Sequence, residues 1–144
     1  MYLIKTVMPF EAAHRLYDVD TYSEECRNNI HGHSYKATIY IGREELNSAG
    51  MVMDFKLLKK ILRSIFDDKY DHSCILKSTD PLCESIAANC EKVIIVGENP
   101  TAEWMCKAFY DEILEPLKAV DPDIFIERVE VQETENNIAI YTER

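Results

Sequence analysis

The stretch Cys26-Arg27-Asn28-Asn29-Ile30-His31-Gly32-His33-Ser34-Tyr35-Lys36-Ala37-Thr38-Ile39-Tyr40-Ile41 decides how this chain folds. From His31 onward it alternates. His31, His33, Tyr35, Ala37, Ile39 and Ile41 share one face, and Ser34, Lys36 and Thr38 take the other. Successive side chains of a strand point to opposite sides, so a period of two predicts a half-buried strand over residues 31–42. Two histidines at i and i+2 then point the same way, about 6–7 Å apart along the strand, and can share one metal ion. Gly32 between them permits close backbone approach.

Upstream, residues 2–14 alternate in the same manner, with Tyr2, Ile4, Met8, Phe10, Ala12 and His14 on one face. If this strand and the next pair in one sheet, one register brings His14, His31 and His33 together. Three nitrogen ligands with a fourth position open is the catalytic arrangement for Zn²⁺. The competing reading is a set of satisfied core histidines. Cys26 lies five residues before His31 in a polar segment. A thiol beside a metal or imidazole ionises more readily and becomes a usable base or nucleophile. Cys26 could equally be a fourth, structural zinc ligand or an idle thiol. Asp71 precedes His72, and a carboxylate beside an imidazole can orient it and stabilise its protonated form. Glu133 ends an apolar face formed with Phe125, Val129 and Val131. There it is either solvated at the strand tip or able to accept two N–H bonds from an amidine-like edge.

The remaining pattern supplies the frame. Asp54 is placed to cap a helix over about 55–67, with Phe55, Leu58, Ile61, Leu62 and Ile65 at helical spacing. Asp80-Pro81 opens a shorter helix with Leu82, Cys83, Ile86, Ala87 and Cys90 along its apolar face, so Cys83 and Cys90 read as core. Residues 92–96 read as a short strand, Met51–Met53 as a further short piece, and Asn99-Pro100 as the start of a long helix. Strands over about 124–133 and 137–142 meet at an Asn136-Asn137 turn. The order is α+β: sequence-adjacent strands form antiparallel hairpins with helices on one face. A four-stranded sheet leaves two edges to protect, and pairing with neighbouring subunits is one way to do it.

The 144 residues, 47% of them hydrophobic, suffice for one domain with a real core, here residues 1–144. A net charge of −10 argues against nucleic acid and anionic membrane surfaces as partners. The charge is uneven: residues 1–72 carry net −1 and residues 73–144 net −9, so cations for an anionic ligand come from the first half. No apolar run approaches the roughly 18 residues of a membrane span, and the start lacks a signal-peptide layout. Five cysteines form no disulfide framework, which fits a reduced, cytoplasmic protein.

Phe10-Glu11-Ala12-Ala13-His14, the His31-Gly32-His33 triplet with Cys26 ahead of it, Asp71-His72, Asn99-Pro100-Thr101-Ala102-Glu103 and Val131-Gln132-Glu133-Thr134 occur in that order. Together with Met51–Phe55 they resemble the 6-pyruvoyltetrahydropterin synthase and 6-carboxytetrahydropterin synthase family over roughly residues 3–142. The resemblance implies the T-fold: a four-stranded antiparallel sheet with two long helices on one face. Three such sheets join into a barrel, two trimers stack into a hexamer, and active sites lie between subunits. It implies His14, His31 and His33 as zinc ligands, Cys26 as the proton-moving residue, and Asp71 and His72 as its acid–base partners. Glu133, with Thr134 beside it, anchors the pterin ring. The implied substrate is 7,8-dihydroneopterin triphosphate. The pyruvoyl branch eliminates triphosphate, and the carboxy branch also loses a two-carbon aldehyde and serves queuosine-type synthesis. A triphosphate needs cations, and Arg15 and Arg27 flank the motif residues. Two features depart from the pattern. Cys-x4-His-Gly-His spacing lies between the carboxy branch, with three intervening residues, and the pyruvoyl branch, with five. Residues 78–97 add a short helix–strand insertion to the minimal carboxy-branch pattern. A third subtype, which cleaves the side chain for folate synthesis, carries a Glu just ahead of the triplet. Asn28 stands there, which disfavours that subtype.

Overall fold

The computed structural model describes residues 1–21 and 23–143. Its elements are β1 (Tyr2–His14), α1 (Glu24–Asn28), β2 (His31–Arg43), α2 (Phe55–Ile65), β3 (Ser73–Lys77), α3 (Cys83–Asn89), β4 (Val93–Val96), α4 (Ala102–Val120), β5 (Phe125–Thr134) and β6 (Asn137–Tyr141). The sheet has six strands in the order β4-β3-β1-β2-β5-β6. The expected four-stranded antiparallel sheet is present within it as β1-β2-β5-β6. The correction lies at the β1 edge, where β3 pairs parallel from Ala12↔Ser73 to His14↔Ile75, and β4 pairs parallel to β3. Strand β3 is too short for its alternation to show in sequence. Met51–Met53 forms no strand; Val52 and Met53 bury in a bend instead.

Strands β1 and β2 run antiparallel in unbroken register from Tyr2↔Arg43 to His14↔His31. Between β2 and β5 the register shifts at Tyr40/Ile41, so Tyr40 faces Arg128 while Ile41 faces Ile126. This bulge changes which residues of β5 point inward. Ile126, Val129 and Val131 are buried, and Phe125 leaves the face it was expected to share with Val129 and Val131.

Helices α2 and α4 carry one hydrophobic core against the sheet. Leu58, Leu62 and Ile65 of α2 and Met105, Cys106, Phe109 and Ile113 of α4 meet Phe10, Tyr35, Ile39 and Val129. Phe10 stacks on Tyr35 at 5.0 Å between ring centroids and meets Phe109 edge-on at 5.6 Å. Asp54 caps α2 as expected, accepting from the N–H groups of Lys56 and Leu57. Thr101, not Asn99-Pro100, caps α4, accepting from the Trp104 N–H at 3.2 Å. Helix α3 begins after Leu82 and buries no side chain; Cys90 is exposed and Cys83 half-buried, so neither belongs to the core. Cys106 is the buried thiol, pushed up to about 12 by burial.

Candidate active site and metal centre

His14 is the last residue of β1 and His31 the first of β2, and the two are directly paired. His33 pairs with Ala12, one position further along the same face. The ligand-capable atoms of the three imidazoles lie within 4.8 Å of one another. His14 Nδ1 sits 2.7 Å from the Pro100 carbonyl, and His31 Nδ1 sits 3.0 Å from the Asn29 carbonyl. A carbonyl only accepts, so each Nδ1 carries the proton and each Nε2 presents a lone pair. The two Nε2 atoms nevertheless face each other at 3.1 Å. Two lone pairs cannot bond to each other, so the contact calls for a metal ion between the rings or a proton on one of them. His33 Nε2 is buried with no hydrogen-bond partner, and His33 completes the cluster of ligand-capable nitrogens. Backbone carbonyls behind the rings and free nitrogens in front are what a metal centre requires of its histidines. The residues therefore fit a nitrogen-ligated metal such as Zn²⁺. Burial also holds the His14 and His33 imidazoles below the ordinary histidine value, which keeps them neutral.

Glu133, half-buried near the end of β5, places one carboxylate oxygen 3.9 Å from His14 Nε2 and the other 3.9 Å from His33 Nε2. A cavity of about 510 Å³ opens from it, lined among others by His14, His31, Cys26, Thr101, Glu103 and Asn137. Cys26 stands on the short helix α1, with its carbonyl accepting the Leu16 N–H at 3.0 Å. Among the described residues the metal-capable set comprises the three imidazoles, so Cys26 joins the cavity and not the ligand set. Thr134 receives the Asn137 side-chain amide at 2.7 Å and closes the β5–β6 turn.

Asp71 and His72 sit elsewhere. Helix α2 widens into a π-helical turn at Phe66–Tyr70, and the Asp71 N–H reaches back to the Phe66 carbonyl at 2.7 Å. His72 then adopts φ 62°, a left-handed conformation uncommon for a residue with a Cβ, and its N–H bonds the Glu11 carbonyl at 2.7 Å. Asp71 accepts from the Glu11 N–H at 2.8 Å and meets His72 Nδ1 at 2.8 Å. Burial alone would raise the Asp71 carboxyl, but the Glu11 N–H and His72 together hold it below its usual value. The dyad expected from sequence is thus formed, and Lys92 braces it by donating to the Asp71 carbonyl at 3.0 Å. His72 lines a second hollow of about 370 Å³ with Glu11, His33 and Ser34. Within one chain it does not share the cavity of Cys26.

The two arginines differ. Arg27 is partly exposed, with Nη2 3.7 Å from Glu24. Arg15, the other candidate cation, is already paired. Its Nε and Nη2 each donate to a separate oxygen of the buried Asp80, both at 2.6 Å. Sequence reasoning also passed over three contributors. The Pro100 and Asn29 carbonyls fix ring tautomers, and a backbone acceptor leaves no trace in residue type. Tyr35, in phase with His31 and His33, puts its buried hydroxyl 3.3 Å from His14 Nε2. The alternation contained that signal.

The 6-pyruvoyl tetrahydropterin synthase family profile matches residues 3–144. The chain is 32% identical to a 6-carboxy-5,6,7,8-tetrahydropterin synthase of Rickettsia conorii, over 88% of this chain and 90% of that protein. It is 30% identical to the 6-pyruvoyl tetrahydrobiopterin synthase of Homo sapiens, over 92% of this chain and 85% of the human one. The solved structure of Caenorhabditis elegans 6-pyruvoyl tetrahydropterin synthase superposes with a TM-score of 0.68 at 26% identity, covering 99% and 96% of the two chains. The histidine cluster, the carboxylate beside it and these matches agree: the chain belongs to the 6-pyruvoyl tetrahydropterin synthase family and is a lyase of that family's kind.

Proposed function

We propose that this chain, as one T-fold domain over residues 1–144, is a zinc-dependent lyase of the carboxy branch. It converts 7,8-dihydroneopterin triphosphate to 6-carboxy-5,6,7,8-tetrahydropterin for queuosine-type biosynthesis in the cytoplasm. The observation that carries the reading is the convergence of the His14, His31 and His33 nitrogens, with His14 and His31 on the wall of a cavity that also holds Cys26 and Glu133. The relative of Rickettsia conorii, named for the carboxy product, favours that branch. The Homo sapiens relative, named for the pyruvoyl one, keeps triphosphate elimination to a pyruvoyl product as the second reading.

Bound zinc supplies a Lewis acid that acidifies the substrate's side-chain hydroxyls and the C–H groups beside them. The chain's residues do the rest. Glu133 accepts the paired N–H groups of the pterin edge and fixes the ring, and Thr134 frames that position. Cys26, on the cavity wall, takes a proton from the substrate side chain. His72, held by Asp71, gives a proton to or takes one from the opposite side. Cys26 and His72 open on different hollows of one chain, which supports an active site assembled between subunits, in a hexamer of two trimers. Exposed Leu3, Val7, Ile138 and Ile140 on the sheet supply apolar surface for such an assembly. Arg27 remains a candidate cation for the triphosphate; Arg15 would have to leave Asp80 to serve.

Replacing Cys26 by Ala tests the catalytic reading against a structural zinc or pterin-binding protein. The expected result is unchanged zinc content and folding with turnover lost. Loss of zinc together with unfolding would mean that Cys26 closes a structural site instead.

A further inference from the structure

We infer that the Arg15–Asp80 pair is a positioning device for the metal centre, through which the insertion at residues 78–97 holds the His14 ligand in place. This rests on the reading that the three imidazoles hold a metal.

His14 is the end of its strand on both sides. Its ladder with β2 stops at His14↔His31 and that with β3 at His14↔Ile75. Beyond it the sheet no longer fixes the backbone, and three consecutive residues are tied instead by other contacts. Arg15 forms the bidentate pair with Asp80. The Leu16 N–H bonds the Cys26 carbonyl at 3.0 Å. Tyr17 is clamped on both backbone groups by the Asn99 side chain, at 2.7 and 2.9 Å. Asn99 adjoins Pro100, whose carbonyl holds His14 Nδ1. A two-point guanidinium–carboxylate fork fixes direction as well as distance, which a point charge does not.

Asp80 is itself rigid. Its side chain is fully buried, its N–H bonds the Lys77 carbonyl, and its carboxylate also accepts the Leu82 N–H at 2.8 Å. Residues 78–97 therefore present a fixed anion to the residue next to a ligand. Groups that orient a metal ligand typically contribute roughly ten- to hundredfold in metal affinity, and this pair acts one residue from such a ligand. Arg15 is in this account a positioning residue and not a substrate contact.

The test is zinc affinity of the full chain, by competition with a chromophoric chelator, for the native sequence, Asp80→Asn, Arg15→Lys and the double variant Arg15→Met/Asp80→Leu. Melting of the metal-free proteins and the visible spectra of the cobalt-loaded proteins are recorded alongside. Asp80→Asn and Arg15→Lys are expected to bind zinc about tenfold more weakly and to alter the cobalt bands. The double variant replaces a buried ion pair by apolar packing and is expected to melt at or above the native temperature. Its zinc affinity is expected to stay weak, which a merely structural role would not produce. Zinc affinity that recovers with stability in the double variant, or that never changes, overturns the inference. If Asp80→Asn fails to fold, Arg15→Lys and the double variant decide. A native chain that binds no zinc at all overturns the metal reading and this inference with it, whereas native-like binding in Asp80→Asn removes the inference alone.

Discussion

His14 and His31 face each other Nε2 to Nε2 at 3.1 Å, while each commits its Nδ1 proton to a backbone carbonyl. The contact calls for a metal ion or a proton between the rings, and buried His33 Nε2 has no hydrogen-bond partner. The native chain is therefore expected to hold about one zinc per chain after gel filtration, and His14→Ala, His31→Ala or His33→Ala to hold little. Elemental analysis of the four proteins checks this. A full equivalent in all three variants would place the metal elsewhere.

Cys26 and His72 line separate hollows, and in the proposed assembly a site that uses both draws them from different subunits. Cys26→Ala and His72→Ala homo-oligomers are each expected to be inactive. Dissociated, mixed in equal amounts and reassembled, they should regain about a quarter of native turnover, because a quarter of the interfaces pair the two intact residues. No recovery would put both residues in one chain's site.

Asp80 gives a pH dependence with a definite sign. Burial would raise its carboxyl, but Arg15 and the Leu82 N–H hold it below its ordinary value of 3.8. In that window the unfolded chain binds a proton that the folded chain refuses, so stability falls with acidification. The contribution is present above about pH 3.8 and is lost as pH drops through the lower folded value. Urea unfolding of the metal-free chain and of Asp80→Asn across pH 2–6 should give difference curves that converge at the acid end. A constant difference would mean that the carboxylate charge is not what stabilises the fold.

Phe10 is 2% exposed and sits among Tyr35, Phe66, Tyr70 and Phe109. Phe10→Ala is expected to cost about 3–5 kcal/mol in urea unfolding, because the surrounding aromatic rings collapse only partly into the space. Since Tyr35 stacks on Phe10 and its hydroxyl touches His14, zinc affinity should fall as well. A loss under about 1 kcal/mol would show a core able to repack.

The long strands and helices were legible because each buries one face. The alternation over 2–14 and 31–42 is matched by β1 and β2, and the apolar stripes of α2 and α4 follow their helical spacing. The three histidines could be read for the same reason, since strand parity places them on one face. What sequence did not show was long-range or carried by backbone. The parallel β3 is five residues long and gains its place from partners, not from pattern. The bulge opposite Tyr40 and Ile41 inverts the parity of β5 and moves Phe125 off the core face. Asn99-Pro100 reads as a helix start because proline suits a first turn, yet its work is to hold Tyr17 and His14. Arg15 reads as a phosphate ligand until the fold brings Asp80, 65 residues away, against it.

In the proposed reading this site turns a pterin triphosphate over with a metal. Purified protein incubated with 7,8-dihydroneopterin triphosphate, with and without a strong chelator, and followed by product mass tests it most directly. The expected product is 6-carboxy-5,6,7,8-tetrahydropterin with release of acetaldehyde and triphosphate, abolished by the chelator and restored by zinc. A pyruvoyl product would move the chain to the sister branch, and unchanged substrate at full zinc occupancy would overturn the lyase reading.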